Sequence, residues 1–136
     1  MVSCAINFTM SVINSLKLLA FNVEGLKFKL EDPTFLDLIF DHDICFLSET
    51  WKANDCKLSI PGYWDYSQVR PKHKRAIRHS GGITIMVKDS IRPGIKVAQD
   101  TEGFIWLKMS KEFFCLVQDL YICAAYIPPK NTTTRT

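Results

Sequence analysis

The stretch Asp43-Ile44-Cys45-Phe46-Leu47-Ser48-Glu49-Thr50-Trp51 ends an apolar run in a carboxylate. Residues 44–47 read as a strand buried on both faces, which puts Glu49 just past its carboxyl end. A carboxylate in that place is solvated or recruited by a cation, because burying it unpaired is costly. A second apolar run, residues 16–21, finishes in the same way with Asn22-Val23-Glu24-Gly25-Leu26. Two strands that both end in oxygen-bearing side chains suit a hard metal ion. Taken residue by residue, Glu49 is equally an exposed strand-end glutamate, Asn22 a turn residue and Glu24 a solvated loop carboxylate. Tyr126 closes a long apolar stretch just before Pro128-Pro129. A phenol there can donate to an anion or, deprotonated, act as a base, although packing is its commoner use. The one dense basic run, residues 70–79, sets five cations (Arg70, Lys72, Lys74, Arg75 and Arg78) within nine residues. It suits contacts to a phosphate backbone, and it also reads as a solvated loop or a nuclear-localisation-like tract.

The elements that must position these groups follow from caps and periodicity. Asp32-Pro33 opens a helix, with aspartate as N-cap and proline where no hydrogen bond is lost. Phe35, Leu36, Leu38, Ile39 and Phe40 give that helix a wide apolar face, and Asp41-His42-Asp43 ends it. The result is a strand–helix–strand unit of α/β type. Ile60-Pro61-Gly62-Tyr63 predicts a turn into a short aromatic segment. Ser80-Gly81-Gly82 introduces a strand over residues 83–88, and residues 104–109 and 113–126 supply two more. Ser110-Lys111-Glu112 between these last two suits a hairpin link. Trp51, Trp64 and Trp106 are expected to serve core or rim packing.

At 136 residues the chain is one domain at most. Its 47% hydrophobic and 23% charged content is that of a globular protein, and a net charge of +3 is too mild to name a partner. Cys4, Cys45, Cys56, Cys115 and Cys123 form no C-x-x-C pair, and Cys45, Cys115 and Cys123 fall inside strand-like runs. They read as reduced core thiols of an intracellular protein, with an extracellular domain as the lesser alternative. Residues 1–15 lack a basic signal-peptide start, and no run approaches the roughly 18 apolar residues of a membrane span, so they read as a lead-in. Residues 130–136 read as a polar tail.

Five motifs occur in order: F-N-V-E-G-L at 21–26, S-E-T-W at 48–51, I-P-G-Y at 60–63, S-G-G-I at 80–83 and Y-I-P-P at 126–129. Together they resemble the exonuclease–endonuclease–phosphatase superfamily, most of all the apurinic-type endonuclease domain of LINE-type (non-LTR) retrotransposons. The resemblance spans residues 16–129. It implies a Mg²⁺-dependent DNA endonuclease, with Mn²⁺ as the substitute ion and no small-molecule cofactor. In that reading Glu49 is the main metal ligand, Asn22 holds the metal and the reacting groups in place, and Glu24 supports the metal site. Tyr126 stands against the scissile phosphate, and the basic run tracks DNA. The histidines (His42, His73 and His79) have no catalytic part. The implied location is intracellular, and nuclear for a functional protein; no membrane association and no particular oligomeric state are implied.

Two motifs of the family, G-D-F/L-N and S-D-H, do not occur. Those motifs activate water and contact phosphate, so the chain is expected to be the first half of such a domain, with little or no turnover. The expected fold is α/β (α+β), the truncated N-terminal half of a four-layered sandwich around two packed sheets. One sheet and its helix would be present, with little of the second. One face of residues 83–88 and of the 113–126 strand would lack cover, at roughly 25 cal/mol per Å² of exposed apolar surface, giving a marginal, aggregation-prone product. Two alternatives are a non-catalytic nucleic-acid-binding remnant and a phosphatase-type member acting on inositol phosphates or phospholipid head groups.

Overall fold

The computed structural model describes residues 1–7, 15–53, 57–69 and 81–127. It is an α+β arrangement of two sheets with few helices. β1 (Val2–Asn7), β2 (Ser15–Asn22), β3 (Ile44–Ser48), β4 (Tyr63–Gln68) and β5 (Ile83–Lys88) form the first sheet, in the order β1-β2-β3-β5-β4. β2 and β3 are parallel and the other pairs antiparallel. β6 (Ile95–Thr101), β7 (Phe104–Met109) and β8 (Leu120–Ala125) form an antiparallel second sheet.

The crossover between β2 and β3 carries α1 (Leu26–Lys29) and α2 (Pro33–Phe40). Asp32 caps α2 by accepting the Thr34 N–H at 2.9 Å, with Pro33 in the first turn. Phe35 and Ile39 are buried, while Leu36 and Leu38 pack at the margin. Phe40 turns outward against Tyr63, at 46% exposure. The first sheet therefore has two buried faces. Leu19, Cys45, Leu47 and Met86 pack beneath the helices, and Leu18, Ile44, Ile85 and Val87 pack against Ile105, Leu107 and Met109 of the second sheet.

The second sheet is fuller than expected. β5 is covered on both faces, because β7 alternates and, with the first residue of β6, turns Ile95, Ile105, Leu107 and Met109 inward. The expected hairpin after Met109 does not form. Ser110 accepts the Phe113 N–H and caps a short helix, α3 (Lys111–Phe114), which ends at Cys115 in left-handed backbone. The run 113–126 is thus a helical turn, a connection and then β8, and the apolar pair Phe113-Phe114 packs under Gly94 instead of extending a strand. Cys115 is accordingly exposed, Cys123 half-buried and only Cys45 a core thiol; Cys4, Cys45, Cys115 and Cys123 are all free. Among the described residues no helix is long and apolar enough to cross a membrane.

Candidate functional site

The parallel pair β2–β3 brings its two strand ends together, with Asn22 opposite Ser48. Backbone bonds continue past the strands: Val23 N–H to Ser48 O at 2.9 Å, Gly25 N–H to Glu49 O at 2.9 Å and Leu26 N–H to Thr50 O at 3.0 Å. On the other side, Trp51 N–H donates to Gly81 O at 3.0 Å, and Thr50 N–H to Gly82 O at 3.4 Å. The segment 49–51 is therefore held between the loop after β2 and the entry to β5. Asn22, Glu24 and Glu49 share one edge of the sheet, as their positions at strand ends predict.

This edge is also where the backbone is strained. Glu24, Glu49 and Trp51 have φ of 48°, 54° and 53°, a region that costs a residue with a Cβ about 1–2 kcal/mol. Such a concentration persists only where surrounding contacts over-determine it. Two of those contacts are visible on Glu49 itself. Its Oε2 accepts the Trp51 Nε1–H at 2.7 Å and the Gly81 N–H at 3.2 Å. Among the described residues nothing hydrogen-bonds Oε1, so one oxygen is anchored and the other is not. Gly25 lets the Trp51 ring lie close: a Cβ at Gly25 would stand 2.9 Å from Trp51 Cε3. Gly82 does the same for Thr50, whose buried Oγ1 would lie 2.6 Å from an added Cβ and has no hydrogen-bond partner among the described residues.

Between the two sheets a cleft of about 490 Å³ opens at this end. Asn22, Ser48 and Ile83 line it from the first sheet, and Ile122, Ala124 and Tyr126 from the second. Glu49 and Glu24 are not among its walls; they follow Ser48 and Asn22 by one and two residues. Tyr126 is half-buried, and its N–H donates to Gly103 O at 2.9 Å. Asn22 and Glu24 are exposed and Glu49 is half-buried.

The donor set fits a hard divalent cation. Two carboxylates and an amide match Mg²⁺, which takes one or two carboxylates and fills its remaining positions with water and substrate. No three His, Cys, Asp or Glu side chains gather in one place among the described residues. The basic residues Arg70, Lys72, Lys74, Arg75 and Arg78 lie outside the described residues, as do His73 and His79. His42 is buried at the end of α2, where Nδ1 meets Leu38 O at 2.7 Å and Nε2 meets Ser3 Oγ at 2.6 Å.

The tryptophans divide. Trp64 packs under the Arg92 guanidinium, 3.8 Å from its ring centre. Trp51 combines packing with its bond to Glu49. Trp106 is 39% exposed on the outer face of the second sheet and does not serve the core. The indole bond was not legible from sequence; its only signal is a tryptophan two positions after the carboxylate. Compared with known proteins, the chain matches no family profile and no curated relative.

Proposed function

We propose that this chain carries the metal-holding and phosphate-facing edge of a DNA phosphodiester-cleaving domain. The observation that supports it best is the Glu49 carboxylate. It ends a buried strand, is fixed through one oxygen by Trp51 and Gly81, and stands beside Asn22 and Glu24 in strained backbone. In this reading Glu49 is the principal ligand of Mg²⁺ or Mn²⁺, with Asn22 and Glu24 assisting. When bound, the cation would supply charge neutralisation at a phosphate oxygen.

The chain's own groups do the rest. The Asn22 amide orients ligands without adding negative charge near phosphate. Tyr126, across the cleft from Asn22, donates its phenolic proton to a phosphate oxygen. The basic run supplies affinity that falls steeply with salt. The two sheets are then the inner layers of a four-layered sandwich, and a DNA substrate implies a nuclear location.

Turnover by these residues alone should be low, because neither the G-D-F/L-N nor the S-D-H motif is present to activate water. The basic run at residues 70–78 also favours, as second reading, a protein that binds nucleic acid without cutting it.

The first test is a Mn²⁺ titration of the ¹⁵N-labelled chain. Paramagnetic broadening should reach Asn22, Glu24 and Glu49 first, and Glu49→Gln should weaken it at least tenfold. Broadening centred elsewhere, or unchanged in Glu49→Gln, would remove the metal site. Supercoiled plasmid with Mg²⁺ then separates the readings: slow nicking lost in Glu49→Gln supports cleavage, and salt-sensitive binding without nicking supports the second.

A further inference from the structure

We propose that Gln68 is a positioning residue: its side-chain amide ties the end of β4 to the β6–β7 turn and, through Gly103, sets where Tyr126 stands in the cleft. Both ends of the amide are used. Nε2 donates to Thr101 O at 2.6 Å and to one carboxylate oxygen of Asp100, while Oε1 accepts the Gly103 N–H at 2.7 Å. The Gly103 carbonyl then accepts the Tyr126 N–H at 2.9 Å. Tyr66, two residues earlier on the same face of β4, donates its phenol to the other Asp100 oxygen.

The link spans the two sheets. Gln68 pairs with Ile83, a wall of the cleft in the first sheet, while Gly103 and Tyr126 belong to the second. Apolar packing between sheets is non-directional and leaves them free to slide. A hydrogen-bonded chain with fixed donors and acceptors does not. The approach at its far end is tight as well. Gly103 has φ +82°, and a Cβ there would stand 2.9 Å from Tyr126 O. Tyr126 is thus held by the turn, and the turn by Gln68.

The functional weight of this link rests on the reading that Tyr126 faces phosphate; the link itself does not. The test compares the unaltered chain with Gln68→Ala and Gln68→Met, all labelled with ¹⁵N and with ¹³Cζ-tyrosine. Gln68→Ala should speed Tyr126 amide exchange at least tenfold and move its Cζ resonance, with β3 and β5 amides unaffected. Gln68→Met, which keeps the bulk of the side chain and loses all of its hydrogen bonds, should behave likewise. Tyr126 signals unchanged in Gln68→Ala would overturn the proposal. Should that variant loosen β3 and β5 too, Gln68→Met decides: Tyr126 exchange raised more than that of β3 and β5 upholds the link, and an equal rise removes it. These signals are read without DNA, so a lack of nicking in every protein bears on the proposed function and not on the link.

Discussion

Glu49 and Trp51 both take up left-handed backbone, with φ of 54° and 53°, and the indole of one holds the carboxylate of the other at 2.7 Å. Trp51→Phe deletes the donor and leaves a smaller ring in place of the indole beside Gly25. We expect divalent-ion affinity to fall about tenfold, the cost of losing an outer hydrogen bond on a ligand, with little change in thermal midpoint. Mn²⁺ titration alongside a melt checks it. Gly25→Ala should do the reverse and cost about 1–3 kcal/mol of stability, since its φ is +103° and the new Cβ meets the ring at 2.9 Å; a urea titration reads this. Burial pushes the Cys45 thiol up to about 12. A thiol reagent at pH 8 should therefore label exposed Cys4 and Cys115 in the folded protein and reach Cys45 only on unfolding; prompt labelling of Cys45 would contradict its burial. At this scale the sequence disclosed that Asn22, Glu24 and Glu49 sit at one edge of the sheet, because each follows an apolar run. Trp51 stayed hidden because its bond to Glu49 depends on the left-handed backbone of both residues, and Gln68 because its contacts lie more than thirty residues away in the chain.

The elements were legible where burial imposes a period. β3, β5 and β7 announce themselves by apolar content, and α2 by its Asp32-Pro33 start. β1 did not, because an exposed edge strand is held by backbone bonds to β2 and needs little apolar pattern. The connection 110–119 misled for the opposite reason: Phe113, Phe114 and Cys115 have strand-like composition, and only the Ser110 cap betrays a helical turn. That connection should be sensitive to acid. The Lys111 N–H, with Lys108 at 3.3 Å, holds Asp119 below the usual aspartate range. Glu112 is lowered as well, by its own N–H and by the Ser110 hydroxyl. A carboxylate whose folded pKa is depressed contributes stability above its unfolded value and loses it as pH falls through the folded value. Protection of the Lys111 amide, measured against the intrinsic exchange rate at each pH, should therefore begin to fall below about pH 4, the ordinary aspartate value. Asp119→Asn should show the faster rate at neutral pH and lose that acid step. An acid step that survives in Asp119→Asn would place its origin elsewhere.

The whole molecule is two sheets with one side dressed and the other bare. Helices cover the first sheet, while the outer face of the second shows Phe104, Trp106 and Tyr121, at 41%, 39% and 52% exposure. Contiguous aromatic surface of this kind drives self-association. Trp106→Thr combined with Tyr121→Thr, both β-compatible residues, should lower dye binding and aggregation with the thermal midpoint within a few degrees. A collapse of stability would show that this face supports the fold. The strand order β1-β2-β3-β5-β4 carries one more consequence, for the chain as it is made. On the ribosome β4 is complete before β5 exists, yet its only neighbour in the sheet is β5. A nascent chain from which β4 has emerged and β5 has not has Asn22, Glu24 and Glu49 already outside the ribosome. It lacks Gly81, whose N–H pins the Glu49 carboxylate, and the β6–β7 turn that seats Tyr126. The site is therefore assembled only once β5 and the segment after β8 have emerged, and β4 is the segment most in need of a chaperone while it waits.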